Sequence, residues 1–202
     1  MIINIRGTSG SGKTHTVRSF MNAYGPDISI PLDGKSTAAH VFYYKMQPVY
    51  LIGSYKNVCG GCDAIPTQDI ACSLVRHFSK FGHVLFEGLL MSHLFARYNA
   101  LYNELTEVGE KFVIAYMDTP LELSIERVKQ RRLDKGNTKE FNPQNTISHH
   151  ESTLTTYDKF KKVGADVRWI KHLKDPVKQI ARILDEDTDF TFESSYREES
   201  FR

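Results

Sequence analysis

A short β-branched run that breaks into a glycine-rich loop is the strongest constraint on what this chain folds into. Ile2-Ile3-Asn4-Ile5-Arg6 reads as a strand, and it stops at Gly7-Thr8-Ser9-Gly10-Ser11-Gly12-Lys13-Thr14. That octet fits G-x-x-x-x-G-K-[ST] in full, and the residues from 13 to about 24 read as a helix ended by Gly25-Pro26. The chemistry needs this order. Glycines let the backbone turn its N–H groups inward around phosphates, the lysine reaches the β- and γ-phosphates, and the threonine hydroxyl offers a Mg²⁺ position. The helix that follows adds the positive end of its dipole. Residues 7–14 are therefore expected to bind a nucleotide, with Lys13 on its phosphates and Thr14 on the metal ion.

Strands and helices alternate along the rest of the chain. Residues 41–46 and 49–53 read as two strands joined by a tight turn at Gln47-Pro48. Cys59-Gly60-Gly61-Cys62-Asp63 is a loop, and Thr67 caps a helix reaching about residue 81. His83-Val84-Leu85-Phe86 is the next strand, ending at Glu87-Gly88, and a helix follows from about 92 to 105. Residues 112–117 form an apolar strand. Thr119-Pro120-Leu121-Glu122 has capping-box spacing with proline at the first helical position. Residues 134–145 are polar, a helix spans about 146–163, Val167-Arg168-Trp169-Ile170 is a last strand, and Asp175-Pro176 opens a last helix. The pattern predicts an α/β fold: a central, mainly parallel sheet flanked by helices, with an early β-hairpin insertion and a helical lid at about 127–145.

Composition agrees with one such domain. Of 202 residues, 41% are hydrophobic and 25% charged, enough for a core and too apolar for a disordered chain. No apolar run approaches the roughly 18–20 residues of a membrane span, and no signal peptide is visible. Three cysteines do not make a disulfide scaffold, so a reducing, cytoplasmic setting is expected. The net charge of +2 hides an asymmetry. Seven of the 24 acids but only two of the 26 bases fall in residues 185–202, which read as a solvated, frayed tail behind a single-domain body of residues 1–184. That body is basic, which suits a phosphate-rich partner.

Three further features carry chemistry. Glu87 ends an apolar strand, where an acid beside a phosphate loop orients Mg²⁺ or accepts a proton. Gly60 and Gly61 allow close backbone approach to a ligand, and Asp63 beside them is a second candidate to take an acceptor's hydroxyl proton; an ordinary turn with a surface aspartate fits the same residues. The Cys59/Cys62 pair also admits a redox or zinc reading, with no second C-x-x-C to complete a metal site. Arg127 and Arg131 are four apart and share a helix face, within a run holding six bases and one acid from 127 to 139. Guanidinium forks suit the charge that spreads over a phosphoryl group in transfer, and residues 134–138 could close over it. The alternative is a solvated basic face.

Taken together, Gly7 to Thr14, Phe86-Glu87-Gly88, Met117-Asp118-Thr119-Pro120 and Glu126-Arg127-x-x-x-Arg131 resemble the P-loop small-molecule kinases of the thymidylate/adenylate kinase-like group. More narrowly, residues 3–13, the Cys59 to Asp63 segment and Phe86-Glu87-Gly88-Leu89-Leu90 resemble bacteriophage P-loop kinases. That resemblance implies phosphorylation of 5-hydroxymethyluracil bases in DNA on the way to hypermodified thymidines, in the host cytoplasm. There is no Asp-Arg-Tyr/His triplet of the kind thymidylate kinases place near the acceptor, which sets free dTMP apart. The expectation is an ATP·Mg²⁺-dependent kinase. Lys13 and the loop amides hold phosphates, Thr14 and Glu87 serve the metal, Arg127 and Arg131 stabilise the transferring group, and Asp63 or Glu87 takes the proton. Two alternatives stand beside it: a kinase of free nucleosides or nucleotides, and a non-catalytic nucleotide-binding regulator.

Overall fold

The computed structural model describes residues 1–25, 27–34, 36–56 and 60–187. In chain order the strands are β1 (Ile2–Arg6), β2 (Ile28–Pro31), β3 (Thr37–Tyr44), β4 (Gln47–Ile52), β5 (His83–Glu87), β6 (Phe112–Met117) and β7 (Asp166–Ile170). The helices are α1 (Lys13–Ala23), α2 (Gln68–Ser79), α3 (Leu89–His93), α4 (Phe95–Glu107), α5 (Leu121–Asp134), α6 (Gln144–Lys162) and α7 (Pro176–Asp185). One sheet runs β2-β3-β4-β5-β1-β6-β7. Its last five members are parallel; β3 runs antiparallel to β4, forming the inserted hairpin with it, and β2 runs antiparallel to β3 at the edge. The chain leaves β1 for one side of the sheet and later crosses to the other. That makes the C-terminal end of β1 a topological switch point, where α/β sheets open a crevice.

Period-two alternation sets the two layers. Ile3 and Ile5 of β1 pack with Val17, Phe20, Leu85, Ile180 and Ile183 under α1 and α7. Ile2 faces the opposite layer with Phe86, Val75, Leu101 and Phe160. Each fully buried aliphatic or aromatic side chain contributes about 1.5–3 kcal/mol. Arg6 is the exception on that second face. It is fully buried, its Nε donates to Asn4 Oδ1 at 2.5 Å, and its guanidinium carbon lies 5.1 Å and 4.7 Å from the ring centres of Tyr98 and Phe160. Two desolvated ring faces, at about 2 kcal/mol each, offset part of the burial cost.

Several elements differ from the sequence expectation, each for a local reason. The hairpin turns at Lys45-Met46, both at positive φ, rather than at Gln47-Pro48, which lie in β4. A two-residue turn with both φ positive matches the strand twist. It makes Tyr44 and Gln47 the closing pair, and Pro48 then stands opposite Tyr43 at a site where no N–H is needed toward β3. Pairing with β5 begins only at Val49. β2 is an additional strand, mostly exposed, without a strong apolar pattern. The helix expected over 92–105 is two, α3 and α4, broken at Leu94. The capping box at residues 119–122 does not form: Pro120 precedes α5 with no side-chain cap, because the Thr119 hydroxyl donates to the carbonyl of Ser11 at 2.7 Å instead.

The acidic stretch also differs at its start. Asp185 accepts from Tyr44 Oη, Glu186 pairs with Arg168, and Asp187 holds the α-ammonium of Met1 at 2.7 Å, so these three belong to the folded body. Residues 188–202 of that tail, and Cys59 of the C-x-x-C pair, lie outside the described residues. Among the described residues, no helix is long and apolar enough to cross a membrane.

Candidate functional site

β1 ends at Arg6, and the glycine-rich loop wraps from there into α1. Its shape is held from outside by four elements. Thr119 binds Ser11 as above, and Thr8 Oγ1 donates to the carbonyl of Thr146 at the start of α6. Ser92 Oγ of α3 accepts from the Gly7 amide at 3.2 Å and donates to Gly88 O at 2.7 Å, pinning the loop to the end of β5. From α5, Arg131 Nη2 donates to Ser9 Oγ at 3.1 Å and Arg127 Nη1 to Gly10 O at 3.4 Å. α5 comes close enough that glycine is required at 10: its φ is +81°, and a Cβ there would lie 2.2 Å from Ser124 O. Lys13 Nζ bends back to the carbonyls of Gly7 and Thr8 at 2.7 and 3.0 Å. Its ammonium is thus stationed inside the loop that the octet predicts for phosphates.

Glu87 ends β5 opposite Ile5, one residue short of the loop, and points toward α1. It is 1% exposed, and Thr14 Oγ1 donates to its Oε1 at 2.8 Å. Burial pushes its carboxyl up to about 7; Lys13, the Thr14 hydrogen bond and Arg18 pull against that, while Asp63 adds to it. Hydroxyl and carboxylate together are hard oxygen donors of the kind Mg²⁺ takes, with its other positions left to water and phosphate. No group of three or more His, Cys, Asp or Glu gathers among the described residues, so an ion here would be held jointly with a phosphate ligand.

The Asp63 loop meets this site by an unexpected route. Asp63 receives the backbone N–H groups of Leu89, at 2.7 and 3.0 Å, and Leu90, at 3.3 Å, so it caps α3 directly after Glu87-Gly88. Gly61 presses on Glu87 itself: φ is +75°, and a Cβ would fall 2.5 Å from Glu87 O and 2.6 Å from its Oε1. The close approach of Gly61 is thus spent on the acid, and that of Gly60 on the Ser54 carbonyl and Tyr55. Cys62 is fully buried, its thiol pushed well up by burial, with Sγ 3.9 Å from Ile52 O.

One cavity of about 410 Å³ gathers these groups: Ser9, Gly10, Gly12, Lys13 and Thr14 on the loop side, Gly60, Asp63, Glu87 and Leu89 opposite, and Arg127 and Arg131 from α5. All five residues singled out for chemistry by the sequence, Lys13, Asp63, Glu87, Arg127 and Arg131, line it. A smaller cavity of about 130 Å³ shares Gly12, His15 and Arg127 with it and reaches the turn after β7 at His172, Lys174 and Pro176. Sequence reasoning missed Ser92 and Arg18, and read Thr119 as a helix cap rather than as a clamp on Ser11. Arg18 is four residues beyond Thr14, and its Nη2 donates to Tyr55 O, fastening α1 to the loop before Gly60. The four-residue spacing to Thr14 was the only signal that this arginine faces the site.

No family model matches the chain. Among curated proteins it is similar to the 5-hmdU DNA kinase of Pseudomonas phage PaMx11, at 36% identity over 173 residues, 82% of this chain and 88% of that one. It is also similar to the 5-hmdU DNA kinase of Pseudomonas phage M6, at 27% identity, covering 86% of this chain and 94% of that one. Among solved structures, deoxyadenosine kinase from M. mycoides with bound dATP aligns over 92% of this chain and all of its own, with 15% identity and a TM-score of 0.44. Shikimate kinase from Acinetobacter baumannii in complex with shikimate aligns over 92% and 91%, with 14% identity and a TM-score of 0.42.

Proposed function

We propose, from the premise that this chain belongs to the phage 5-hmdU DNA kinase family, that it transfers the γ-phosphoryl group of ATP to the 5-hydroxymethyl oxygen of 5-hydroxymethyluracil in DNA. The observation that carries the reading is the single cavity in which a buried carboxyl, the Thr14 hydroxyl, an ammonium and two guanidinium groups converge at the end of β1. ATP would lay its phosphates along residues 7–14. Its base would extend past Gly12 into the smaller cavity beside His172 and Pro176, since the other direction is taken by Glu87 and Asp63.

Transfer then asks little covalent chemistry of the protein. The acceptor oxygen bonds to the γ-phosphorus, the bond to the β–γ bridging oxygen breaks, and ADP leaves. Lys13 moves from the loop carbonyls onto the β- and γ-phosphates. Mg²⁺, when bound, neutralises charge on the phosphate oxygens. Thr14 and Glu87 are the residues that would hold it, directly or through water. Arg127 and Arg131 supply donors where equatorial charge spreads. The hydroxyl proton goes to Glu87 or Asp63. A carboxyl poised near 7 accepts a proton and returns it readily at neutral pH, which favours Glu87. Asp63, already accepting backbone N–H groups, keeps α3 and Gly88 in place.

The test is direct. Incubation with γ-labelled ATP and, in parallel, hydroxymethyluracil DNA, ordinary DNA and free nucleotides should label only the first. Mass analysis of digested nucleosides should place the phosphate on the 5-hydroxymethyl group. Label confined to free nucleotides would transfer the assignment to a monomer kinase, and no label anywhere would leave a nucleotide-binding regulator.

A further inference from the structure

Arg6 stands directly before Gly7, the first residue of the phosphate loop, and its side chain runs into the layer between Tyr98 of α4 and Phe160 of α6. It is fully buried. Its Nε donates to Asn4 Oδ1, while Nη1 and Nη2 lie buried without a hydrogen-bond acceptor. The groups that act on its charge are the hydroxyls of Tyr116 and Tyr98, with no carboxylate among them. The Tyr116 hydroxyl is itself engaged with Thr156 Oγ1 at 3.1 Å. Other cations withdrawn from solvent are answered by acids: Arg168 meets Asp166 and Glu186, and the α-ammonium of Met1 meets Asp187.

A guanidinium keeps its charge at any working pH, so its burial without a counter-charge is a standing cost to the fold. The two ring faces offset part of that cost. The remainder calls for a reason, and the position of Arg6 supplies one. Thr156 Oγ1 also donates to Ser92 O at 2.9 Å, and Ser92 Oγ accepts from the Gly7 amide. A short run of buried hydrogen bonds therefore joins the surroundings of the guanidinium to the start of the loop. His93 of α3 feels both cations of this region: burial first, then His149, Lys13 and Arg6, hold its titration down to about 4.

We propose that Arg6 is the buried electrostatic floor of the phosphate loop, an unpaired positive charge whose counter-charge is the phosphate chain of a bound nucleoside triphosphate. The inference rests on the nucleotide-binding half of the reading above and is independent of the acceptor. Lys13 and the loop amides would touch the phosphates. Arg6 is a positioning residue that acts through the intervening protein, where a low dielectric carries a field farther than water does and salt screens it little.

The experiment measures binding of AMP, ADP and ATP without Mg²⁺ to wild type, Arg6→Met and Arg6→Gln, together with denaturant midpoints of the free proteins. Both neutral variants should lose affinity in step with ligand charge: Kd should rise about tenfold for ATP, about fivefold for ADP and about twofold for AMP. The loss should be the same at about 0.05 M and about 0.5 M salt, because the charge is buried. Free Arg6→Met should be at least as stable as wild type, since the uncompensated charge is gone, and ATP should raise its midpoint less than it raises that of wild type. Equal losses for the three nucleotides, or none, would overturn the proposal. Neutral variants that are both less stable than wild type, or do not fold, would overturn it too and make Arg6 a structural pillar between Tyr98 and Phe160. Wild type that binds none of the three would overturn the nucleotide-binding reading along with it.

Discussion

On the loop side of the cavity, Ser9, Gly10, Gly12, Lys13, Thr14 and His15 form a nearly continuous lining beside Arg127 and Arg131, and the rest of the fold clamps them from behind. On the opposite side, Asp63, Glu87 and Leu89 come from two separate segments and are fixed by each other: Gly61 against the Glu87 carboxyl, Asp63 on the amides after Gly88. The first wall uses backbone N–H groups and one lysine, so its chemistry is contiguous in sequence. The second uses buried side chains whose behaviour depends on long-range neighbours. On the proposed reading the loop side would hold a phosphate chain common to many reactions, while the acid side would have to distinguish one acceptor and manage one proton. On that reading specificity falls to the wall that local sequence describes least well.

The sharpest way to break this contrast is to disable the loop side. Lys13→Ala should leave the fold intact, because the ammonium bonds to carbonyls of its own loop, those of Gly7 and Thr8, yet transfer should fall by at least about 10³. Arg131→Ala and Arg127→Ala should each cost turnover more than ATP affinity, with roughly 10³–10⁵ as the range for a well-oriented arginine in phosphoryl transfer. Arg131 should be the more severe, since it reaches the loop at 3.1 Å and Arg127 at 3.4 Å. Single-turnover rates and nucleotide binding measured on the same variants separate the two effects. Wild-type turnover in both arginine variants would reduce this face of α5 to solvated charge.

How the two walls read in the sequence follows the same division. β1, the octet and α1 were legible because each signal is local: a β-branched run, glycines at fixed offsets, then a helix. The strands β5, β6 and β7 were legible as apolar runs. The capping box at 119–122 misled because its threonine had a tertiary use, the carbonyl of Ser11, that no window of a few residues contains. Asp63 was seen as a base or a surface turn, and its capping of α3 was hidden by the chain that loops out between them. Glu87 was found from its place at the end of a strand, but its titration near 7 comes from burial under Gly61 and α1, which only the packed structure supplies.

The acid side can be split by asking each carboxylate for its own signature. If Glu87 orients the ion, Glu87→Gln should raise the Mg²⁺ concentration needed for half-maximal activity. A Glu87 that must be ionised also makes kcat/KM climb as pH rises through about 7, and the glutamine variant should lose that limb. Asp63→Asn keeps a hydrogen-bond acceptor for Leu89, so it should cost about tenfold or less at every Mg²⁺ concentration and leave the limb near 7 in place. Loss of the limb in Asp63→Asn but not in Glu87→Gln would exchange their roles.

The last effect expected is thermodynamic, and it needs neither nucleotide nor acceptor. Glu87 binds its proton more tightly in the folded chain, where its carboxyl titrates at about 7, than in the unfolded chain at its ordinary 4.5. Below 4.5 both states are protonated and the group contributes no difference. Between the two values the folded state holds more proton than the unfolded one, so stability falls as pH rises. Above about 7 both states are ionised and the full cost of a buried carboxylate is present, on the order of 3 kcal/mol. Glu87→Gln cannot ionise and should escape this loss. Denaturant midpoints of the two proteins should therefore move apart from pH 5 to 7 and run parallel above it, with the glutamine variant gaining. Parallel curves across the whole range would mean that Glu87 titrates alike folded and unfolded. The buried, poised carboxyl would then be lost as the feature that sets the acid wall apart from the loop wall.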